Sequence, residues 1–274
     1  MQKIVVLNPK GGSGKSTLAT NLASYFAVQN CKPTLMDMDA QGSSMRWVGK
    51  RSTEQPRIYG VAGYERKMGV TRSFAMRMQM DSEVLIVDTP AAVEAPRLPE
   101  FTRDAHAILV PVLPSDIDIH AATRCISDLL LVAKVNRNEQ RIAVIANRVK
   151  RHTIMYRSLM QFLHTLQIPV LATLRDSQNY VRAYERGQGI FEMKPMMVHE
   201  DLEQWQPLLG WLSNMLPGRQ AISPPSPTIA RPTSFGSQTV ASQIKPVNPV
   251  TTPVEPKPQT ASGTQIPAFL IPRP

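Results

Sequence analysis

A parallel α/β sheet, mostly doubly wound with helices on both faces and followed by a disordered tail, is the fold class this sequence predicts. Three observations predict it. Short apolar runs alternate with helix-period segments through the first 216 residues. One such run, Val84-Leu85-Ile86-Val87, carries no charge until Asp88 closes it, as a strand buried on both faces should. A glycine- and lysine-rich segment separates the first apolar run from the first helical one, which suits ligands held at the carboxyl ends of parallel strands.

Taken in order, Lys3 to Leu7 is a first strand. A helix follows from Ser16 to Gln29, with Leu18, Leu22, Tyr25 and Phe26 recurring on one face. Further strands are expected at Pro33 to Met38, Val84 to Asp88, Ala107 to Val112, Ile142 to Ala146 and Pro169 to Leu174, six in all. Helices are expected at Ile119 to Val135, Met155 to Leu166 and Leu202 to Leu216. The composition then breaks. Residues 217–274 hold 13 of the 24 prolines, with many Ser, Thr and Gln and no apolar period. Such a segment cannot bury enough surface to offset chain entropy, so a disordered, extended tail is predicted. The expected organisation is one domain over 1–216 and a Pro-rich tail over 217–274.

The chain carries a formal charge of +10. The tail contributes five basic residues and one acidic one, so the folded part is itself basic. That balance fits a nucleic-acid partner or an anionic membrane. Cys31 and Cys125 stand alone, without disulfide or metal-ligand spacing, and are expected as small buried side chains. The amino terminus enters a strand at once, and no apolar run approaches the length of a bilayer span. A cytoplasmic location is expected.

The chemistry concentrates at strand ends. Lys10-Gly11-Gly12-Ser13-Gly14-Lys15-Ser16-Thr17 follows the first strand. Glycines let the backbone turn tightly enough to aim successive N–H groups at phosphate oxygens. Lys15 would reach the β- and γ-phosphates, and the Ser16 hydroxyl would ligate Mg²⁺. The ordinary pattern, G-x-x-x-x-G-K-[ST], requires a glycine at position 9, where this chain has Pro9. The loop instead places a lysine, Lys10, at its head. Asp37-Met38-Asp39-Ala40-Gln41-Gly42 closes the second strand and Asp88-Thr89-Pro90 the third. Carboxylates there could hold a cation or position a water; each could equally be a turn or capping residue.

Lys10 to Thr17, Asp37 to Gly42 and Asp88-Thr89-Pro90 together, in this order and spacing, resemble the ParA/MinD family of deviant Walker A ATPases, over roughly residues 1–216. The resemblance implies a P-loop NTPase sheet of the SIMIBI type and an ATP-dependent sandwich dimer with Mg²⁺ as cofactor. It implies that Lys10 is the signature lysine, reaching the partner subunit's nucleotide. It gives Asp39 a part in activating the hydrolytic water and in the metal site, and Asp88 the Walker B position near Mg²⁺. Asn147-Arg148, past the Ile142 strand, is similar to the family segment that holds adenine, and an Asn amide can pair a donor and an acceptor with the base.

Basic residues cluster late in the domain. Arg148, Lys150, Arg151 and Arg157 follow the Ile142 strand, and Arg175, Arg182, Arg186 and Lys194 follow the last one. This stretch resembles the region where nucleoid-binding relatives place DNA contacts. No operator-reading segment is evident, so DNA binding is expected to be nonspecific and salt-sensitive. Prolines near the carboxyl end forbid an amphipathic anchor helix, and a membrane partner is not expected. The Met-rich stretch around Met68, Met76, Met78 and Met80 is expected as a core-facing helix, with a partner-docking face as the alternative. The function expected from the resemblance is an ATPase that binds nucleoid DNA as a dimer. A cargo-adaptor protein stimulates hydrolysis and release, so that a carboxysome-like organelle, plasmid or chromosome is positioned. The alternatives are a membrane-associated positioning ATPase and a nucleotide-gated binding module with negligible hydrolysis.

Overall fold

The computed structural model describes residues 1–65, 81–150, 153–165 and 168–215. The Met-rich stretch at Met68 to Met80, Arg151 and the tail expected over 217–274 lie outside the described residues. Among these residues seven parallel strands form one sheet: β1 (Gln2–Val6), β2 (Pro33–Asp37), β3 (Tyr59–Ala62), β4 (Val84–Asp88), β5 (Ala107–Val112), β6 (Ile142–Val149) and β7 (Val170–Arg175). Their order across the sheet is β3-β2-β4-β1-β5-β6-β7. The helices are α1 (Lys15–Val28), α2 (Ser43–Gly49), α3 (Leu98–Thr102), α4 (Asp116–Leu131), α5 (Ile154–Thr165), α6 (Gln178–Glu185) and α7 (Pro195–Met215).

Strand side chains alternate between two cores because the pleat has a period of two. Ile4 and Val6 of β1 point to one face, with Leu22 of α1, Trp47 of α2 and Leu208 of α7. Val5 and the following Leu7 point to the other, with Phe101 of α3, Ile126 of α4 and Leu159 of α5. All of these are nearly inaccessible to water, and each large side chain so buried contributes about 1.5–3 kcal/mol. Both cores close on this one sheet, so its inner strands need apolar residues on both faces, which is the charge-free pattern of Val84 to Val87. The two fully buried tryptophans keep their N–H groups paired: Trp47 donates to the Gln188 carbonyl at 3.0 Å and Trp205 to the Tyr180 hydroxyl at 2.9 Å.

The sheet has one strand more than the six expected. β3 is an edge strand of four residues that contains Gly60 and pairs with β2; its side chains are half-buried or exposed. Nothing so short and so weakly apolar stands out from sequence. The last helix begins at Pro195, not Leu202. Proline at the first helical position lacks only an N–H that has no intrahelical partner anyway, and the exposed Met196 and Met197 break the apolar period that marks the rest of α7.

Register places the chemistry. Asp37, last in β2, is paired with Asp88, last in β4, and Asp88 with Val6, last in β1. Chain direction therefore delivers the β1 loop and both strand-end carboxylates to one edge of the sheet. It is also where the order departs left and right from β1, the point at which such sheets bind ligands.

Candidate functional site

The loop after β1 is braced before it turns. Asn8 donates its amide to the Pro111 carbonyl at 2.6 Å and accepts the Lys10 N–H at 2.9 Å. Gly12 and Gly14 adopt positive φ of 77° and 93°, a region open to glycine at little cost. At Gly14 there is no room either, because a Cβ would lie 2.1 Å from the Asn147 amide nitrogen. That amide donates to the Ser13 carbonyl at 2.9 Å, and the Asn147 side-chain oxygen accepts the Arg148 N–H at 3.0 Å. Asn147, expected as a base contact, here braces the back of the loop. Arg148 turns outward to Asp176 at 3.2 Å.

α1 starts from Gly14 without a side-chain cap and with no acidic residue in its first turn. Its first N–H groups and the positive end of its dipole thus face the loop, as at an anion site. Lys15 is 7% exposed, and its ammonium donates to the Lys10 carbonyl at 3.2 Å. Burial lowers its pKa, while Asp88 and Asp39 pull it back up. The cation is therefore held in the cradle between backbone and carboxylates. Ser13 and Lys15 are buried, whereas Gly11 and Gly12 are exposed at the loop's crest.

The three strand-end carboxylates differ. Asp37 is fully buried and accepts the N–H groups of Asp39 at 3.0 Å and Met45 at 3.1 Å. Burial raises its pKa and these backbone donors lower it; its work is to fix the turn into α2. Asp39 is half-buried and accepts the Gln41 N–H at 2.9 Å. Asp88 is 1% exposed. One of its oxygens accepts the Ser44 hydroxyl at 2.7 Å and the other is buried without a hydrogen-bond partner. An orphaned carboxylate oxygen beside Ser16 and Lys15 is what a hard cation such as Mg²⁺ requires. Among the described residues no group of three His, Cys, Asp or Glu side chains is placed to hold a metal ion, so a cation held by Ser16 and Asp88 would complete its shell with phosphate oxygens and water.

Burial pushes the Asp88 carboxyl up to about 6; the Ser44 and Ser16 hydroxyls and Lys15 oppose the shift. A carboxyl raised above its unfolded value binds its proton more tightly in the folded state. Its stabilising contribution is complete below pH 3.8 and is lost as pH rises to about 6. Asp88→Asn, which cannot ionise, is therefore expected to stabilise the nucleotide-free protein at pH 7 by up to roughly 3 kcal/mol and to flatten the decline between these pH values. Urea unfolding across that range checks it; an unchanged pH profile would contradict the assignment.

Two partners in the site had little or no sequence signal. Ser44, bound to Asp88, is one small polar residue among several after β2. Asp118, on the first turn of α4, receives the Lys10 ammonium at 2.6 Å. Its signal was the Ser115-x-x-Asp118 spacing, with Ser115 capping α4 by accepting the Asp118 N–H at 3.2 Å. The turn into α2 is also tied to the 184–192 segment. Tyr184 donates to the Ser43 carbonyl at 2.8 Å, and the buried Arg51 forks onto Glu192 at 2.6 and 2.9 Å.

Of the basic candidates, Lys150 follows the carboxyl end of β6 and Arg175 closes β7, whereas Arg157 lies on α5, Arg182 on α6, and Arg186 and Lys194 between α6 and α7. Lys150, Arg157, Arg182, Arg186 and Lys194 are exposed. Arg175 is not available in the same way: its guanidinium is bound to Asp201 at 2.6 Å and Glu200 at 2.5 Å.

A parallel sheet with a glycine-rich, two-lysine loop leading into an uncapped helix defines a P-loop nucleotide-binding protein. The chain belongs to the CbiA family, the CobQ/CobB/MinD/ParA nucleotide binding domain, whose profile matches residues 4–190. It is 27% identical over 191 residues to Maintenance of carboxysome distribution protein A of Halothiobacillus neapolitanus, covering 69% of this chain and 87% of that protein. Among solved structures it resembles the MinC:MinD cell division complex of Aquifex aeolicus, with TM-score 0.60 and 16% identity over 78% of this chain and 96% of that one. It also resembles a Cyanothece McdA variant in complex with ATP, with TM-score 0.58 and 16% identity over 81% and 99% of the respective chains. At these identities the structural likenesses show the fold.

Proposed function

We propose that this chain is a Mg²⁺-dependent ATPase that positions an intracellular cargo by cycling on and off nucleoid DNA. The observation that carries the reading is the convergence of Lys15, Asp39 and Asp88 at the loop that Lys10 heads, at the switch point of the sheet. The loop N–H groups, the start of α1 and Lys15 bind and orient the triphosphate; Asn147 and Arg148, near the end of β6, are the candidates for the base. Ser16 and Asp88 hold the metal, which when bound neutralises charge on the phosphates. Asp39, left with fewer backbone ties than Asp37, orients the attacking water. Lys10 reaches the nucleotide of a second copy, so that charge developing in the transition state is neutralised only in the closed dimer.

The cargo reading draws on the carboxysome-distribution relative, whose match extends over most of its length. A carboxysome-like compartment is therefore the first cargo to test, with an adaptor protein on its surface as the stimulator of hydrolysis. Among the described residues no helix is long and apolar enough to cross a membrane. In this reading the protein is cytoplasmic and nucleoid-associated, and the DNA contacts fall to Lys150, Arg157, Arg182, Arg186 and Lys194. Arg175 is set aside because its charge is neutralised by Asp201 and Glu200.

The test is binding to nonspecific double-stranded DNA with ATP, with ADP and without nucleotide, across a salt series. Tight binding is expected with ATP alone. Between about 50 and 200 mM salt it should weaken by about 10³-fold, as displacement of several counterions requires. Equal affinity in all three nucleotide states, or none in any, overturns the DNA-cycling reading.

A further inference from the structure

Lys10 points away from the loop it heads. Its ammonium, one-third exposed, lies 2.6 Å from a carboxylate oxygen of Asp118, whose side chain is 3% exposed. The Ser115 hydroxyl meets the same oxygen, while the other Asp118 oxygen is buried without a hydrogen-bond partner. The carboxylate sits on α4, a 16-residue helix packed along its length into the sheet through Ile119, Ala122, Ile126 and Leu129. It is therefore a fixed anchor, and Lys10 is the mobile partner.

A carboxylate this far from water is tolerated as an anion only while a cation is set against it. If Lys10 leaves, the charge is left with one hydroxyl and an orphaned oxygen. Any other anion that takes Lys10 must overcome that loss. The exposed half of the pair is the lysine, so the side chain that moves in the exchange is that of Lys10.

We propose that Asp118 is a positioning residue that docks Lys10 against its own subunit and opposes transfer of the ammonium to a nucleotide phosphate on a second copy of the chain. The proposal rests on the reading that Lys10 acts across a dimer. Asp118 then sets the threshold for closure. The dimer forms when the pull of the partner's triphosphate on Lys10 exceeds that of Asp118. Anything that supplies a substitute donor to the carboxylate lowers the threshold.

The experiment compares the full chain with Asp118→Asn and Asp118→Ser, alone and combined with Lys10→Gln. In nucleotide-free protein, the acylation rate of the Lys10 amine is read by mass spectrometry. With ATP, the protein concentration at half-dimerisation is read by light scattering. Both Asp118 variants should label Lys10 several-fold faster than the parent. They should also dimerise at about tenfold lower concentration, a typical coupling between linked equilibria. In the Lys10→Gln background the Asp118 substitutions should have no further effect on dimerisation. Unchanged labelling overturns the docking. Unchanged or weaker dimerisation in the Asp118 variants overturns its opposing sense. An Asp118 effect that persists without Lys10 overturns the pairing. Faster labelling in a protein that stays monomeric with ATP supports the docking and overturns the cross-subunit role of Lys10, so the two failures are told apart.

Discussion

Lys15→Ala is expected to weaken ATP binding by at least about 100-fold, the loss of one or two charge-assisted hydrogen bonds to phosphate. The side chain is buried in the loop and its ammonium already faces the cradle, held by the Lys10 carbonyl and drawn by Asp88 and Asp39. Little is reorganised when phosphate replaces that carbonyl, so most of the interaction appears as affinity. The same residue does little for stability. Burial lowers its pKa, which means the folded state holds this cation at a cost, and the thermal midpoint of the variant should not fall. Titration of a fluorescent ATP analogue, with thermal unfolding alongside, separates the two. Affinity within threefold of the parent would contradict the role.

Asp39→Ala is expected to bind ATP, to dimerise and to remain on DNA, with turnover reduced by about 10²- to 10⁴-fold, the range for losing a group that handles the reacting proton or water. The structure is what separates Asp39 from its neighbour. Both Asp37 oxygens are taken by backbone N–H groups of Asp39 and Met45, and the residue is fully buried. Asp39 holds only the Gln41 N–H at 2.9 Å and is half-buried near Lys15. Asp37→Ala should instead loosen the turn into α2 and lower stability. Single-turnover hydrolysis beside denaturant unfolding distinguishes the two outcomes; turnover by Asp39→Ala equal to the parent's would remove it from the mechanism.

Much of this was legible in the chain because the signals are local. The phosphate loop is contiguous, and its glycine and lysine spacing follows from backbone turning and charge. The strands buried on both faces announce themselves by apolar runs without charge, and α1 and α5 by their period. β3 was not legible because an edge strand packs one flank only, so four residues with a glycine suffice and leave no pattern. The first turn of α7 was hidden for a related reason: Pro195, Met196 and Met197 are exposed, and exposure removes the periodicity that sequence reading depends on.

By itself the sequence determined the fold class, the nucleotide loop, and the candidate carboxylates Asp39 and Asp88 with their likeness to ParA and MinD. Tertiary structure decided which groups meet. Lys10 and Asp118 are 108 positions apart, Ser44 and Asp88 44 positions, and Asn147 closes on Gly14 from β6, which is separated from β1 by β5. It also divided look-alike residues: Asp37 into the turn and Asp39 toward the cradle, Arg175 into an ion pair and Arg182 to the surface. Motif spacing reflects what neighbouring backbone can do. Pairing across strands depends on register, and desolvation depends on packing; both are properties of the whole sheet that no short segment encodes.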